Sequence, residues 1–279
     1  MADFTQHASL DVLLTQMGLA GARVCAIDAS EASAGNISVC ASWPIDVASR
    51  FPITEDIQLP SPAPALAGHT ILASGSGQRL RQIGDDPAAA IGAVIVDDGG
   101  LTARLFTSPR RQFKNLTSEF NSHLAVHQDQ FERRGIDFQA VVHAQPMHLT
   151  YLSHMTAYRS TEVMNRRILR WEPETIVSLS AGIGVLPFAV PGSPELMAAN
   201  IAGLRDFQIV LWSKHGVMAR SSESVQKAVD LIEYAETGAR YEYMDILAGG
   251  LAEGLTAAEK KAVATAFGVD SPWVEQQMG

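Results

Sequence analysis

No part of this chain keeps one kind of periodicity for long. Short runs that alternate or stay apolar, as strands do, are interspersed with stretches whose apolar residues recur every three or four positions, as on one helix face. The pattern continues from Leu10 to Phe267 with no internal repeat, no charge tract and no linker that would split the chain. Elements mixed in this way bury their apolar faces when helices cover a sheet, which is an α/β architecture. With 279 residues the core is large enough to need no disulfide or structural metal. The whole of 1–279 therefore reads as one domain.

The segments are read as follows. Leu10, Val12, Leu13, Met17 and Leu19 give an amphipathic helix over 5–20, and 22–27 is a short strand or a helix end. A strand is expected at 36–41, a proline-rich loop at 60–64, and a strand at 69–73 that enters the turn Ser74-Gly75-Ser76-Gly77. Residues 90–96 and 102–106 form a hairpin around Asp98-Gly99-Gly100. A helix after Thr117-Ser118 turns Phe120, Leu124 and Phe131 inward, and a buried strand at 139–143 precedes a helix opened by Pro146. Residues 176–179 read as a strand, and Ser193-Pro194-Glu195 as a capped helix start. A strand at 208–212 ends at Lys214-His215-Gly216; a long helix over 221–248 and a last one over 257–267 follow.

Charge and cysteine usage narrow the function. Lys plus Arg is 21 against 30 Asp plus Glu, a net charge of −9, which argues against a nucleic-acid partner held by a basic face. Small anions remain open, because local donors hold them. Cys25 and Cys40 belong to no CxxC motif, so neither a disulfide framework nor a cysteine zinc site is expected. The first seven residues, Met1 to His7, lack a basic n-region and an apolar h-region. The longest apolar run, near 88–96, falls well short of the roughly 20 residues needed to span a bilayer. These features point to a soluble, cytoplasmic protein without a membrane partner.

The histidines are uneven: of eight, His123, His127, His143, His148 and His154 share one short stretch. His143 ends an apolar strand, and Gln145 lies on its side of the strand if the strand continues that far. His215 ends another strand before a glycine. Two strand-end histidines can converge on a divalent cation; they can equally be hydrogen-bonded polar residues at a sheet rim. Thr117-Ser118-Glu119 has two readings as well. It is a helix cap whose carboxylate complements the dipole, or a phosphate-binding helix start with a proton carrier beside it. Ser74-Gly75-Ser76-Gly77 is a flexible turn or an anion nest. No Walker sequence and no GxGxxG opening a βαβ unit supports nucleotide use.

The order of these pieces carries more than any one of them. Ser33-Ala34-Gly35-Asn36-Ile37-Ser38 comes first, then Ser74-Gly75-Ser76-Gly77, then Thr117-Ser118-Glu119 with His123 one turn on. His143-Ala144-Gln145 and Lys214-His215-Gly216 follow. That succession resembles the class II aldolase/adducin family over nearly the whole chain. Within the family, residues 181–192 and 209–212 are most similar to members that act on rhamnulose 1-phosphate.

The resemblance implies a single three-layer α/β/α domain with a central, largely antiparallel sheet. It also implies zinc-dependent cleavage of a ketose 1-phosphate into dihydroxyacetone phosphate and an aldehyde, the metal acting as a Lewis acid on the ketone oxygens. By the same likeness Glu119 is the acid/base, and His143 and His215 are metal ligands. Ser33, Asn36, Ser76, Gly77, Thr117 and Ser118 surround the phosphate and ketone end. Glu174, eight residues before Gly182, matches a glutamate supplied by a neighbouring subunit for the aldehyde-oxygen proton. A homotetramer with sites between subunits is expected; His123 is expected beside the ligands, and His148 and His154 in packing or interface roles.

One position departs from the family. Where its members carry His-x-His, this chain has His143-Ala144-Gln145, and an amide is a neutral, weaker, oxygen-donor ligand. Three arrangements stay open: Gln145 coordinates as the third metal residue, Glu119 or His148 completes the set, or the metal and the aldolase activity are lost. A decarboxylase or epimerase of the same family is the second enzymatic reading. A non-catalytic, adducin-like binding module is the third, and Gln145 is what sustains it.

Overall fold

The structure is a computed structural model and describes residues 8–274. Helix α1 (Leu10–Ala26) starts where the Ser9 side chain accepts from the Val12 amide, and the ambiguous stretch 22–27 is its end, with Ile27 as the C-cap. Strand β1 (Asn36–Ala41) is fully buried, whereas β2 (Ile53–Gln58) is mostly exposed. Strand β3 (Thr70–Ser74), the one-turn α2 (Pro87–Ala90), and the hairpin β4 (Ile91–Val96) and β5 (Thr102–Thr107) come next. Helix α3 (Phe120–Arg134) ends at Gly135, whose φ of 57° is the left-handed geometry of a helix stop. Strand β6 (Phe138–Ala144) leads to α4 (Met147–Leu152), α5 (Thr161–Ile168) and α6 (Pro173–Ser178). Strand β7 (Ile183–Leu186), α7 (Pro194–Asp206) capped by Ser193, β8 (Ile209–Trp212) and β9 (Gly216–Ser221) follow. Helix α8 (Val225–Leu247) and α9 (Ala257–Phe267), whose start is a Thr256/Glu259 capping box, close the described chain.

Among the described residues the strands form one sheet in the order β2-β5-β4-β3-β1-β6-β9-β8-β7. Every neighbouring pair is antiparallel except β7 with β8, so the sheet is largely antiparallel as expected. Side-chain alternation sorts it into two faces. Ile37, Val39, Ala140, Val142, Leu211 and Ala219 pack with α1 and α8 into the larger core. Val141, Val210, Trp212 and Met218 point to the other side, with Val126 of α3 and Leu196 and Leu204 of α7. Helices thus cover both faces, the three-layer arrangement that the family resemblance implies.

The register sets up the site. Asn36 of β1 lies opposite His143 of β6, and Ser38 shares the Asn36 face of β1, the face that α3 covers.

One local expectation is corrected, and several elements lie outside the sequence pattern. The strand expected at 176–179 is helix: Pro173 fixes the first helical turn, and Ile176 is buried within the larger core. Strand β2 lies outside the sequence expectations, because Ile-Thr-Glu-Asp-Ile-Gln is polar and exposed. It forms the sheet's edge, where charged residues protect unpaired backbone. Helix α5 and strands β7 and β9 also lie outside them; β7 has only four residues, and β9 begins within the turn signal Lys214-His215-Gly216.

Candidate metal centre

Glu119, His143 and His215 meet at the same end of the sheet, from three unconnected places. Glu119 occupies the N-cap position of α3, but its side chain makes no cap hydrogen bond. Instead Asn36 Nδ2 donates to its Oε2 at 2.8 Å, and the carboxylate is aimed at the sheet. Its Oε2 lies 3.6 Å from His143 Nε2, and its Oε1 4.0 Å from His215 Nε2. The three groups each offer an atom within 4.8 Å of the others.

Both histidines turn Nε2 toward Glu119. His143 Nδ1 donates to the Val217 carbonyl at 2.8 Å, which orients the ring and turns Nε2 toward the centre. The His143 ring stacks on Trp212 with centroids 4.4 Å apart and planes 22° from parallel. His215 stands in the β8–β9 turn, after Lys214 with its positive φ of 66°. Its Nδ1 is buried without a partner. Burial, and next the adjacent His143, push His215 below the ordinary histidine value, partly offset by Glu119 and Glu31.

Gly216 permits the approach of β9 to β6. A Cβ there would stand 2.4 Å from the Ala144 carbonyl oxygen and 3.1 Å from His143 Cε1. The glycine after His215 is thus a requirement of packing.

A cavity of about 170 Å³ opens onto these groups, lined among others by Ser33, Asn36, Ser76, Gly77, Thr117, Ser118 and Gln145. All the residues expected around a phosphate and ketone therefore border the same space as Glu119, His143 and His215. Gly77 adopts φ 76°, and the Thr117 hydroxyl accepts from the Glu119 amide at 3.3 Å. Strand β6 stops at Ala144, so Gln145 belongs to the following turn. With its amide oriented so that Nε2 donates, it reaches the Glu31 carboxylate at 2.5 and 3.2 Å. A wider cavity of about 660 Å³, bordered by Asp28, Glu31, Met147, Tyr151 and Lys214, shares Gln145 and His215 with the first.

Other expected residues are not brought in. Glu174 is exposed on the first turn of α6 and does not border the cavity of its own chain. His148 Nδ1 lies 2.6 Å from Glu236 Oε1, on α8, and its ring tilts against Tyr243; it packs α4 onto α8 rather than completing the cluster. His154 is exposed. Sequence reading missed Glu31, Trp212 and the part played by Ser38 and Gln139. The signal for the last two was present: a polar residue within each of two otherwise buried strands.

The donor set fits a divalent cation. One carboxylate and two imidazoles are the ligand types borderline metals take, one imidazole has its other nitrogen tied to a backbone carbonyl, and an amide oxygen is in reach of the same cavity. Fold and centre together define a class: α/β enzymes that gather a metal-binding cluster at one end of a largely antiparallel sheet.

Within that class the chain is specific. It matches the family Class II Aldolase and Adducin N-terminal domain over residues 16–243, and it belongs to that family. It is 28% identical over 246 residues to rhamnulose-1-phosphate aldolase of Citrobacter koseri, a match that spans 86% of this chain and 87% of that one. A sugar-phosphate aldolase from Thermotoga maritima has the same fold at TM-score 0.73 and 24% identity, covering 86% of this chain and 97% of its own. L-fuculose-1-phosphate aldolase from Thermus thermophilus superposes at TM-score 0.54 and 18% identity, covering 88% of this chain and 100% of its own. The chain is an enzyme of the aldehyde-lyase class. No helix among the described residues is long and apolar enough to cross a membrane.

Proposed function

We propose that the protein is a metal-dependent aldolase that cleaves a ketose 1-phosphate of the rhamnulose 1-phosphate type into dihydroxyacetone phosphate and an aldehyde. The observation that carries this reading is the convergence of Glu119, His143 and His215 on a cavity walled by hydroxyls and a glycine-serine turn. His143 and His215, with Gln145 or Glu119, would hold the cation, and zinc is the metal their nitrogens favour. When bound, the cation supplies Lewis acidity at the ketone oxygens.

The chain's own groups do the rest. Ser76, Gly77, Thr117 and Ser118, with Ser33, hold the phosphate and ketone end through hydroxyls and backbone amides, so a net charge of −9 is no obstacle. Asn36 orients Glu119 by donating to it. Carbon–carbon cleavage leaves the electron pair on the ketone fragment, and Glu119 carries the proton at that carbon. A second base must take the proton from the hydroxyl that becomes the aldehyde. Glu174, solvent-facing within one chain, supplies it from a neighbouring subunit of a homotetramer. The reading is of a cytoplasmic enzyme.

The test joins metal analysis of the purified protein to rhamnulose 1-phosphate cleavage with and without chelator. Bound zinc and chelator-sensitive cleavage are expected, and Glu119→Gln should remove cleavage while leaving the melting curve in place. A metal-free protein inert on ketose 1-phosphates sinks the reading.

A further inference from the structure

Behind Glu119 lies a set of buried polar groups that the cleavage scheme leaves unused. Asn36 Nδ2 donates to Glu119, and Asn36 Oδ1 faces His123 Nε2 at 2.5 Å. Ser38 Oγ sits 2.7 Å from His123 Nδ1 and 2.8 Å from His127 Nε2. His127 Nδ1 in turn lies 2.9 Å from Gln139 Oε1. Ser38, His123, His127 and Gln139 are all at 0% exposure, and the Gln139 Nε2 has no partner. Glu119 and His123 come from one helix and Asn36 and Ser38 from one strand, so two elements build most of the row.

Donor and acceptor counting gives the row a direction. An ionised carboxylate only accepts, so the Asn36 amide must face it with N–H, which leaves Oδ1 toward His123. That oxygen needs a donor, and His123 Nε2–H provides it. A neutral His123 then accepts at Nδ1, and the Ser38 hydroxyl donates there. The Ser38 oxygen accepts in turn from His127 Nε2–H. His127 Nδ1 is left to accept, which requires the Gln139 amide with its oxygen and nitrogen exchanged, so that Nε2, otherwise without a partner, donates there. The opposite direction would set the Asn36 oxygen against the Glu119 carboxylate. Burial holds both imidazoles below the ordinary histidine value, His127 down to about 4, in keeping with neutral rings.

We propose that Gln139, His127, Ser38, His123 and Asn36 form a one-way donor chain ending on Glu119, with both histidines as neutral Nε2–H tautomers. The chain locks the Asn36 amide, and through it the Glu119 carboxylate, in the orientation that handles the carbon-bound proton. Aligned donors polarise one another, so each link stiffens the next. Ser38, His123 and His127 are positioning residues: none borders the cavity, and they act only through Asn36. The inference rests on the role given to Glu119 above.

Two measurements test it. In ¹⁵N-histidine-labelled wild-type protein at pH 7, long-range ¹H–¹⁵N correlations should show the Nε2–H tautomer pattern for both His123 and His127. An Nδ1–H pattern or an imidazolium at either residue overturns the proposal, whether or not any sugar phosphate is cleaved. The second measurement is kinetic. Ser38→Ala and His123→Leu should each lower kcat by about 10- to 100-fold, the usual cost of a lost supporting contact, with KM changed by less than about twofold. His123→Gln, which keeps an N–H toward Asn36, should recover most of kcat. Equal losses in His123→Leu and His123→Gln, or a Ser38→Ala enzyme with unaltered kcat, would refute the positioning role. Should a variant fail to fold, the wild-type tautomers still decide the direction of the chain. Cleavage of no ketose 1-phosphate at all counts against the proposed function alone.

Discussion

Replacing Gly216 by alanine isolates the packing that makes the centre possible. The new Cβ would lie 2.4 Å from the Ala144 carbonyl oxygen, 3.0 Å from Gln145 Cγ and 3.1 Å from His143 Cε1. The first neighbour is backbone in the paired strand β6, so no side chain can swing clear. Restoring an ordinary contact needs β9 and β6 to separate locally by about 1 Å, against the closeness of packed interiors. That displacement falls where Ala144 pairs with Val217, whose carbonyl anchors His143, and one residue from His215. Overpacking of this kind costs about 1–3 kcal/mol, which at about 2–4 °C per kcal/mol for a chain of this size lowers Tm by about 2–12 °C. A 1 Å misplacement of reacting groups costs about 10²-fold in rate. The assays are thermal denaturation, zinc affinity by competition with a chromophoric chelator, and kcat. Gly84→Ala is the control, since a Cβ there meets nothing closer than 3.7 Å and Gly84 has no positive φ. A Gly216→Ala protein with wild-type Tm and zinc affinity would show that the strands are not held by this contact.

Further outcomes follow from other parts of the structure. His127 is buried with its pKa lowered to about 4, against 6.5 when unfolded, so the unfolded chain binds the extra proton as pH falls. Stability from this group is therefore full above pH 6.5 and declines toward pH 4, by about 3 kcal/mol in all. Urea unfolding across that range should show the slope, and His127→Gln should flatten it. Gln145→His should raise zinc affinity if Gln145 stands where a third imidazole belongs, and unchanged affinity in a calorimetric titration would place the third ligand elsewhere. Trp212→Phe removes the indole N–H that donates to Asn200, leaving a buried amide oxygen unpaired and the His143 stack smaller. A loss of about 1–3 kcal/mol in chemical denaturation is expected.

The residues of the centre were legible in the sequence for a physical reason. Glu119, His143 and His215 sit at element ends, where a helix start or a strand-to-turn change marks a position at the rim of a fold. Apolar periodicity found most elements because each of those segments buries one face. It failed at β2, a polar edge strand, and at 173–178, where Pro173 outweighed a β-branched run.

What the sequence determined by itself was the α/β pattern, the family and the residue types available for chemistry, because these depend on local periodicity and on the order of motifs. What only the tertiary structure decided was which groups meet. The antiparallel pairing of β1 with β6 sets Asn36 opposite His143, and the α3 start brings Glu119 over both. Long-range pairing likewise turned His123 and His127 from neighbours in a histidine-rich stretch into links of a buried row. It turned Glu119 from a possible helix cap into an acceptor within reach of two imidazoles. Hydrogen bonds act over about 3 Å, and residues more than eighty positions apart come that close only through the register of the sheet.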